Sequence, residues 1–189
     1  DGNMFIISCQ YDQSQVTANS TSIPVTLLST PLCIDPKGNE GLNSQKTEPT
    51  NPLYSLDKQQ SSLVYYDKNT IVLTMPYWVK VTNSSVEDSE VKKHSFVLSY
   101  DREAIKDTDT KLKLYISHVV DDAGETVTRS NFTYAYRAYS IREALTAFSN
   151  KTGKLPKYLE LTAQTNNSKD ELKEENGETS VEYDYAFTE

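Results

Sequence analysis

Residues 111–116 alternate strictly, with Leu112, Leu114 and Ile116 on one face of an extended chain and Lys111, Lys113 and Tyr115 on the other. Every second side chain of a pleated strand points the same way, so this run reads as a strand with one face in a core and one in water. Runs of the same kind occupy 62–66, 71–75, 77–81, 95–100, 134–138 and 158–163. Residues 5–9 and 23–28 read as two more strands, with Pro24 marking an edge or a strand start. Many short strands and few helical patterns predict a β-rich α+β fold: an antiparallel sheet or sandwich with one helix, from the C-terminal half, packed on it.

That helix is expected over 141–151. Ser140-Ile141-Arg142-Glu143 matches a capping box, Ile141, Leu145 and Phe148 recur on one face, and Gly153 with Pro156 ends the run. A strand face and a helix face of matching apolarity cover each other, so Leu112, Leu114, Ile116, Ile141, Leu145 and Phe148 are expected in one core. Asp121-Asp122-Ala123-Gly124 reads as a hairpin turn, Gly124 supplying the positive φ. The expected organisation is one β-rich domain over 1–163. It comprises N-terminal strands over 1–34, a turn-rich loop over 35–52, and the main sheet with its helix over 53–163. Residues 164–189 read as an acidic polar tail in which 181–187 regain alternation as a final strand.

The chain of 189 residues carries a formal charge of −8, so its field repels nucleic-acid phosphates and anionic lipid headgroups. No run approaches the roughly 18 to 20 apolar residues of a membrane span. A start at Asp1 without an initiator Met is what a mature exported protein shows. Cys9 and Cys33 are the two cysteines, each at the end of an apolar run, and an even count in an acidic, loop-rich chain predicts a disulfide between them in an oxidising compartment. Asn19, Asn83, Asn131, Asn150 and Asn166 head glycosylation sequons, which act only in a glycosylating secretory pathway.

Catalytic patterns are missing. His94 and His118, the two histidines, lie in a polar stretch and on a lysine-bearing strand and read as surface residues. No nucleophile elbow, zinc spacing, complete calcium loop or phosphate-cradling glycine loop is present, so no catalytic residue, metal site or cofactor is assigned. Asp107, Asp109, Asp121, Asp122 and Glu125 read as solvated turn carboxylates. Paired carboxylates for glycoside hydrolysis depend on separation in space and stay open. The remaining signal is aromatic: Tyr65, Tyr66, Trp78, Tyr134 and Tyr136 place large amphipathic rings on strands, where they serve either as core partners or as a binding surface.

Residues 63–150 resemble the bacterial surface-adhesin protein E family. The resemblance runs through Tyr65-Tyr66-Asp67-Lys68-Asn69-Thr70-Ile71, Tyr77-Trp78-Val79-Lys80-Val81, the stretch from Ile116 through Asp121-Asp122-Ala123-Gly124-Glu125, and Ser140-Ile141-Arg142-Glu143-Ala144-Leu145. The family's cysteines before the hairpin and after the helix are absent, Cys9 and Cys33 lying upstream of the resembling region. The resemblance implies an antiparallel sheet backed by a helix at a bacterial envelope, with host-protein binding in the named member. The expectation is therefore an extracytoplasmic interaction domain, secreted, periplasmic or on the cell surface, with a protein partner, no nucleic acid and no membrane span, and compatible with a lipid anchor. The alternatives are a secreted hydrolase using paired carboxylates and a structural envelope subunit.

Overall fold

The computed structural model describes residues 4–34, 42–173 and 177–187, and divides into two compact units, one ending at Pro36 and one beginning at Lys37. In the first unit, β1 (Met4–Ile6) pairs antiparallel with β4 (Leu32–Ile34), and β2 (Cys9–Gln10) with β3 (Thr26–Leu27). A single 3-10 turn, Gln13–Gln15, is capped by the Asp12 carboxylate accepting from the Ser14 amide at 2.9 Å. The expected 5–9 strand is thus split in two, and the 23–28 strand shrinks to the two residues beyond Pro24, which has no amide to donate. The expected disulfide is not formed: both cysteines are free and exposed. They belong to different ribbons, Cys9 opposite Leu27 and Cys33 opposite Phe5, and the Cys33 thiol lies 3.7 Å from the Ile34 carbonyl.

The second unit holds two sheets. Strands β5 (Ser62–Asp67), β6 (Thr70–Val79) and β9 (Asn131–Ser140) form one, in that order and antiparallel throughout. Strands β7 (His94–Ser99), β8 (Lys111–Val120), β10 (Tyr158–Gln164) and β11 (Glu178–Asp184) form the other in the order β11-β10-β8-β7. Its pairs are antiparallel except β8 with β10, which run parallel, Leu114 beside Leu161. The tail does hold a final strand, β11, but it begins and ends three residues before the expected 181–187.

Alternation decides what the sheets bury. Leu112, Leu114 and Ile116 of β8 share one core with Leu73 and Met75 of β6, with Leu159 and Leu161 of β10, with Leu145 and Phe148 of the helix and with Ile141 just before it, as the sequence pattern predicts. The Tyr139 hydroxyl donates to the Phe96 carbonyl at 2.7 Å, joining β9 of one sheet to β7 of the other. At the far end Leu53 stitches them again: its amide bonds the Gln164 carbonyl, and the next amide, Tyr54, bonds that of Pro76.

Three local expectations are corrected. The runs expected at 71–75 and 77–81 merge into one strand that stops at Val79, because Pro76 lies beyond the reach of β5, whose pairing ends at Ser62 opposite Thr74, so no ladder bond is lost on that side. The Asp121–Gly124 turn joins β8 to β9 in different sheets and closes no hairpin, although Ala123 (φ 52°) and Gly124 (φ 84°) do adopt left-handed backbone. The capping box is not made. Ser140 is committed to the β9 ladder opposite Thr70, α2 (Arg142–Thr152) starts after Ile141 with no side-chain cap, and the Glu143 carboxylate turns to Tyr100 and Arg102. The stop is as expected, with Gly153 left-handed at φ 74° and its amide bonded to the Ser149 carbonyl. A short helix α1 (Asp88–Val91) precedes β7.

Candidate functional site

The outward face of the three-stranded sheet follows from register. Trp78 lies opposite Phe132, Pro76 opposite Tyr134 and Thr74 opposite Tyr136, while the residues between them, Tyr77, Met75 and Leu73, enter the core. Period two therefore sends Trp78, Phe132, Tyr134 and Tyr136 to one side, with Val72 and its partner Val64. Tyr54 stacks on Phe132 at 4.1 Å between ring centroids and meets Trp78 edge-on at 5.0 Å, and Phe132 meets Tyr134 edge-on at 5.9 Å. Trp78, 6 % exposed, is fixed by its indole N–H donating to the Asn166 carbonyl at 2.8 Å, and so forms the floor; Phe132 and Tyr134, each 40 % exposed, are the accessible rings above it. Among these paired positions no Asp, Glu, Lys or Arg occurs, in a chain of net charge −8.

The five rings singled out in the sequence thus divide. Trp78, Tyr134 and Tyr136 share the outward face. Tyr66, 70 % exposed, stands on the edge strand β5 beside a bulge. Tyr65 belongs elsewhere: its hydroxyl donates to the Asp184 carbonyl at 2.9 Å and its ring meets Tyr185 and Phe187 edge-on, with burial raising its pKa so that the proton stays on. Two rings were missed. Phe132 continues the alternation of Tyr134 and Tyr136 and was legible as such, whereas Tyr54 comes from a loop and only the fold brings it here.

A second constellation contradicts the surface reading of the histidines. His94 and His118 are 5 % and 1 % exposed, stacked nearly parallel, with His94 Nδ1 2.9 Å from His118 Nε2. Paired strands β7 and β8 put them on one face, diagonally across the ladder, where Phe96, which lies opposite His118, stacks on its ring. The outer nitrogens end on acceptors: His118 Nδ1 lies 3.1 Å from the Pro52 carbonyl and His94 Nε2 3.2 Å from Glu90. Burial drives the His118 pKa down to about 3, and its neighbour His94 pushes the same way. Burial also lowers His94, with Glu90 only partly opposing.

Glu90 continues the network. Its carboxylate accepts from the Lys80 amide at 2.9 Å and from Arg129 Nε at 2.7 Å, and these bonds outweigh burial and hold its pKa low. Arg129 also makes a two-pronged pair with Asp122, at 2.7 and 2.9 Å, which holds that carboxyl at about 2, and Lys93 reaches Asp122 at 3.2 Å. Asp170, 3.6 Å from Arg129 and bonded by Asn51, keeps a raised pKa because burial wins there. Three carboxylates thus converge on one buried guanidinium and not on an open cleft. Among the described residues no His, Cys, Asp and Glu group has the arrangement to hold a metal ion. A groove of about 700 Å³ runs along α2 past Arg102, Glu143 and Lys151, away from both constellations. Of the sequon asparagines, Asn166 is buried, its side chain spent on Ser168, Lys169 and Glu171.

No protein-family model and no curated protein matches the sequence. Solved structures do. The chain is similar to a protein named "putative lipoprotein" from Bacteroides fragilis NCTC 9343, with 29 % identity, a TM-score of 0.75, and coverage of 98 % of this chain and 83 % of that one. An uncharacterized protein from Parabacteroides merdae ATCC 43184 matches with 14 % identity and a TM-score of 0.56 over 97 % of this chain and 82 % of that one, and shares the fold. Among the described residues no helix is long and apolar enough to cross a membrane.

Proposed function

We propose that this chain is an interaction domain of a bacterial cell envelope that binds a protein partner through the outward aromatic face. The observation that carries this reading is the cluster of Tyr54, Trp78, Phe132 and Tyr134, in which accessible rings rest on a buried, hydrogen-bonded indole. Rings held this way lose little freedom when covered, and a contact anchored on aromatics over a dry floor is the usual seat of binding energy. The face is uncharged, so the partner surface is apolar and neutral. Similarity to the Bacteroides fragilis protein supports the envelope location, and the resemblance to the surface-adhesin family makes host matrix proteins the first partners to try.

The test is binding of the purified chain to fractionated envelope and host matrix proteins at low salt and at about 0.5 M salt, where the Debye length is only a few Å. The expected result is a complex that persists at high salt and weakens at least tenfold in the Phe132→Ala/Tyr134→Ala double variant. A complex that dissolves in salt, or one indifferent to the double variant, refutes the reading.

A further inference from the structure

We propose that residues 4–34 form the surface through which two copies of this chain associate, independently of the aromatic face. Nine large apolar side chains within residues 5–32 stand 37–59 % exposed, Leu28, Tyr11, Phe5 and Ile7 the most, whereas all the rest of the described chain exposes seven. The secondary structure there is two ribbons of two strands, each strand only two or three residues long. A two-stranded ribbon without a covered face is marginal in water, so this stretch needs a partner surface to be well ordered.

The chemistry of that partner is constrained three ways. Every strand of a two-stranded ribbon is an edge with unpaired amides and carbonyls, and lipid offers them no hydrogen bonds, so a protein strand suits the surface and a bilayer does not. Asp12 is the single charged residue in 4–34, although the chain as a whole carries −8. Two copies approaching through the charged surface would meet like charge, and here they do not. Nine side chains at about half exposure present on the order of 800 Å² over both faces of the ribbons, and since successive strand residues face opposite ways about half of that lies on either face, the scale of a small interface of modest affinity. A second copy offers the same edges, the same neutrality and the same area, and a two-fold contact makes all three self-complementary.

Sedimentation equilibrium of the whole chain at about 100 μM, enough to fill an interface of micromolar affinity, tests this directly. The expected mass is twice 21.4 kDa. The Ile7→Lys/Leu28→Lys variant is expected to sediment as a monomer, and Phe132→Ala/Tyr134→Ala to remain a dimer, which separates this proposal from the binding reading above. Hydrogen exchange of the unmodified chain gives a second readout that needs no variant: amides in 4–34 gain protection on concentration, and those of β8 do not change. A monomeric unmodified chain overturns the proposal, whether or not it binds neutral phosphatidylcholine vesicles. So does a dimer that survives the two lysines, or exchange in 4–34 that ignores concentration.

Discussion

Three contacts line up through the two imidazoles: Glu90 to His94, His94 to His118, and His118 to the Pro52 carbonyl. Each needs one hydrogen, and two neutral rings carry one each, so one contact goes without until a further proton arrives. Burial resists that proton, since it would place a charge where there is no water. The linkage follows in sign. Unfolded histidines take up protons near 6.5 while the folded pair, with lowered pKa values, does not, so the unfolded state is favoured as pH falls below 6.5. Between pH 6.5 and 5, above the range where Glu90 and Asp122 titrate, His118 alone accounts for a loss of about 2 kcal/mol. Urea midpoints at pH 7.5 and 5 measure it, and His118→Phe, which keeps the stack on Phe96, should shrink the difference between them. An unchanged difference would mean that the histidines do not set it. Arg129 raises the complementary case. Its replacement by Met strands Glu90, Asp122 and Asp170 without their shared cation, and chemical denaturation should show a loss of about 3–5 kcal/mol. The burial of His118 was legible, since it continues the alternation of Leu112, Leu114 and Ile116, whereas that of His94 and Arg129 was not, because they sit beside polar neighbours and only packing between distant segments covers them.

At the scale of the element, helix α2 separates what local pattern specifies from what it does not. Phe148 is fully buried in the shared core, and Phe148→Ala should cost about 3–5 kcal/mol in denaturant melts. Ser140→Ala should cost less than about 0.5 kcal/mol, where a working cap would cost about 1. A larger loss would show that the Ser140 hydroxyl caps the helix in solution after all. The buried face was readable because positions 141, 145 and 148 recur at helical spacing wherever the helix packs. The cap was not, because Ser140 serves two possible partners and the β9 ladder takes it first. The same competition explains Pro76, a local strand-breaker tolerated where β5 has already ended, and the Asp121–Gly124 turn, whose residues fix a bend without fixing which sheet receives the next strand.

For the molecule as a whole, alternation made the β-rich class and the shared core legible, since a half-buried strand shows the same period in any sheet. Strand order, the parallel pairing of β8 with β10 and the gathering of Tyr54 with Phe132 depend on contacts far apart in sequence, which no window of residues contains. The division into two units sets a further expectation. Strand β8 is flanked on both sides by ladders and its apolar face is in the core, so its amides should exchange only by unfolding of the whole second unit. Residues 4–34 have ladders of two and three residues and exposed apolar side chains, so at high dilution they should open locally at a cost near zero. Brief chymotrypsin treatment of the dilute protein should therefore cut first at Phe5, Tyr11 or Leu28 and leave a folded product containing β5 to β11. Exchange in residues 4–34 as slow as in β8, or resistance of those three bonds under conditions that cut elsewhere, would show instead that the chain unfolds as one cooperative body.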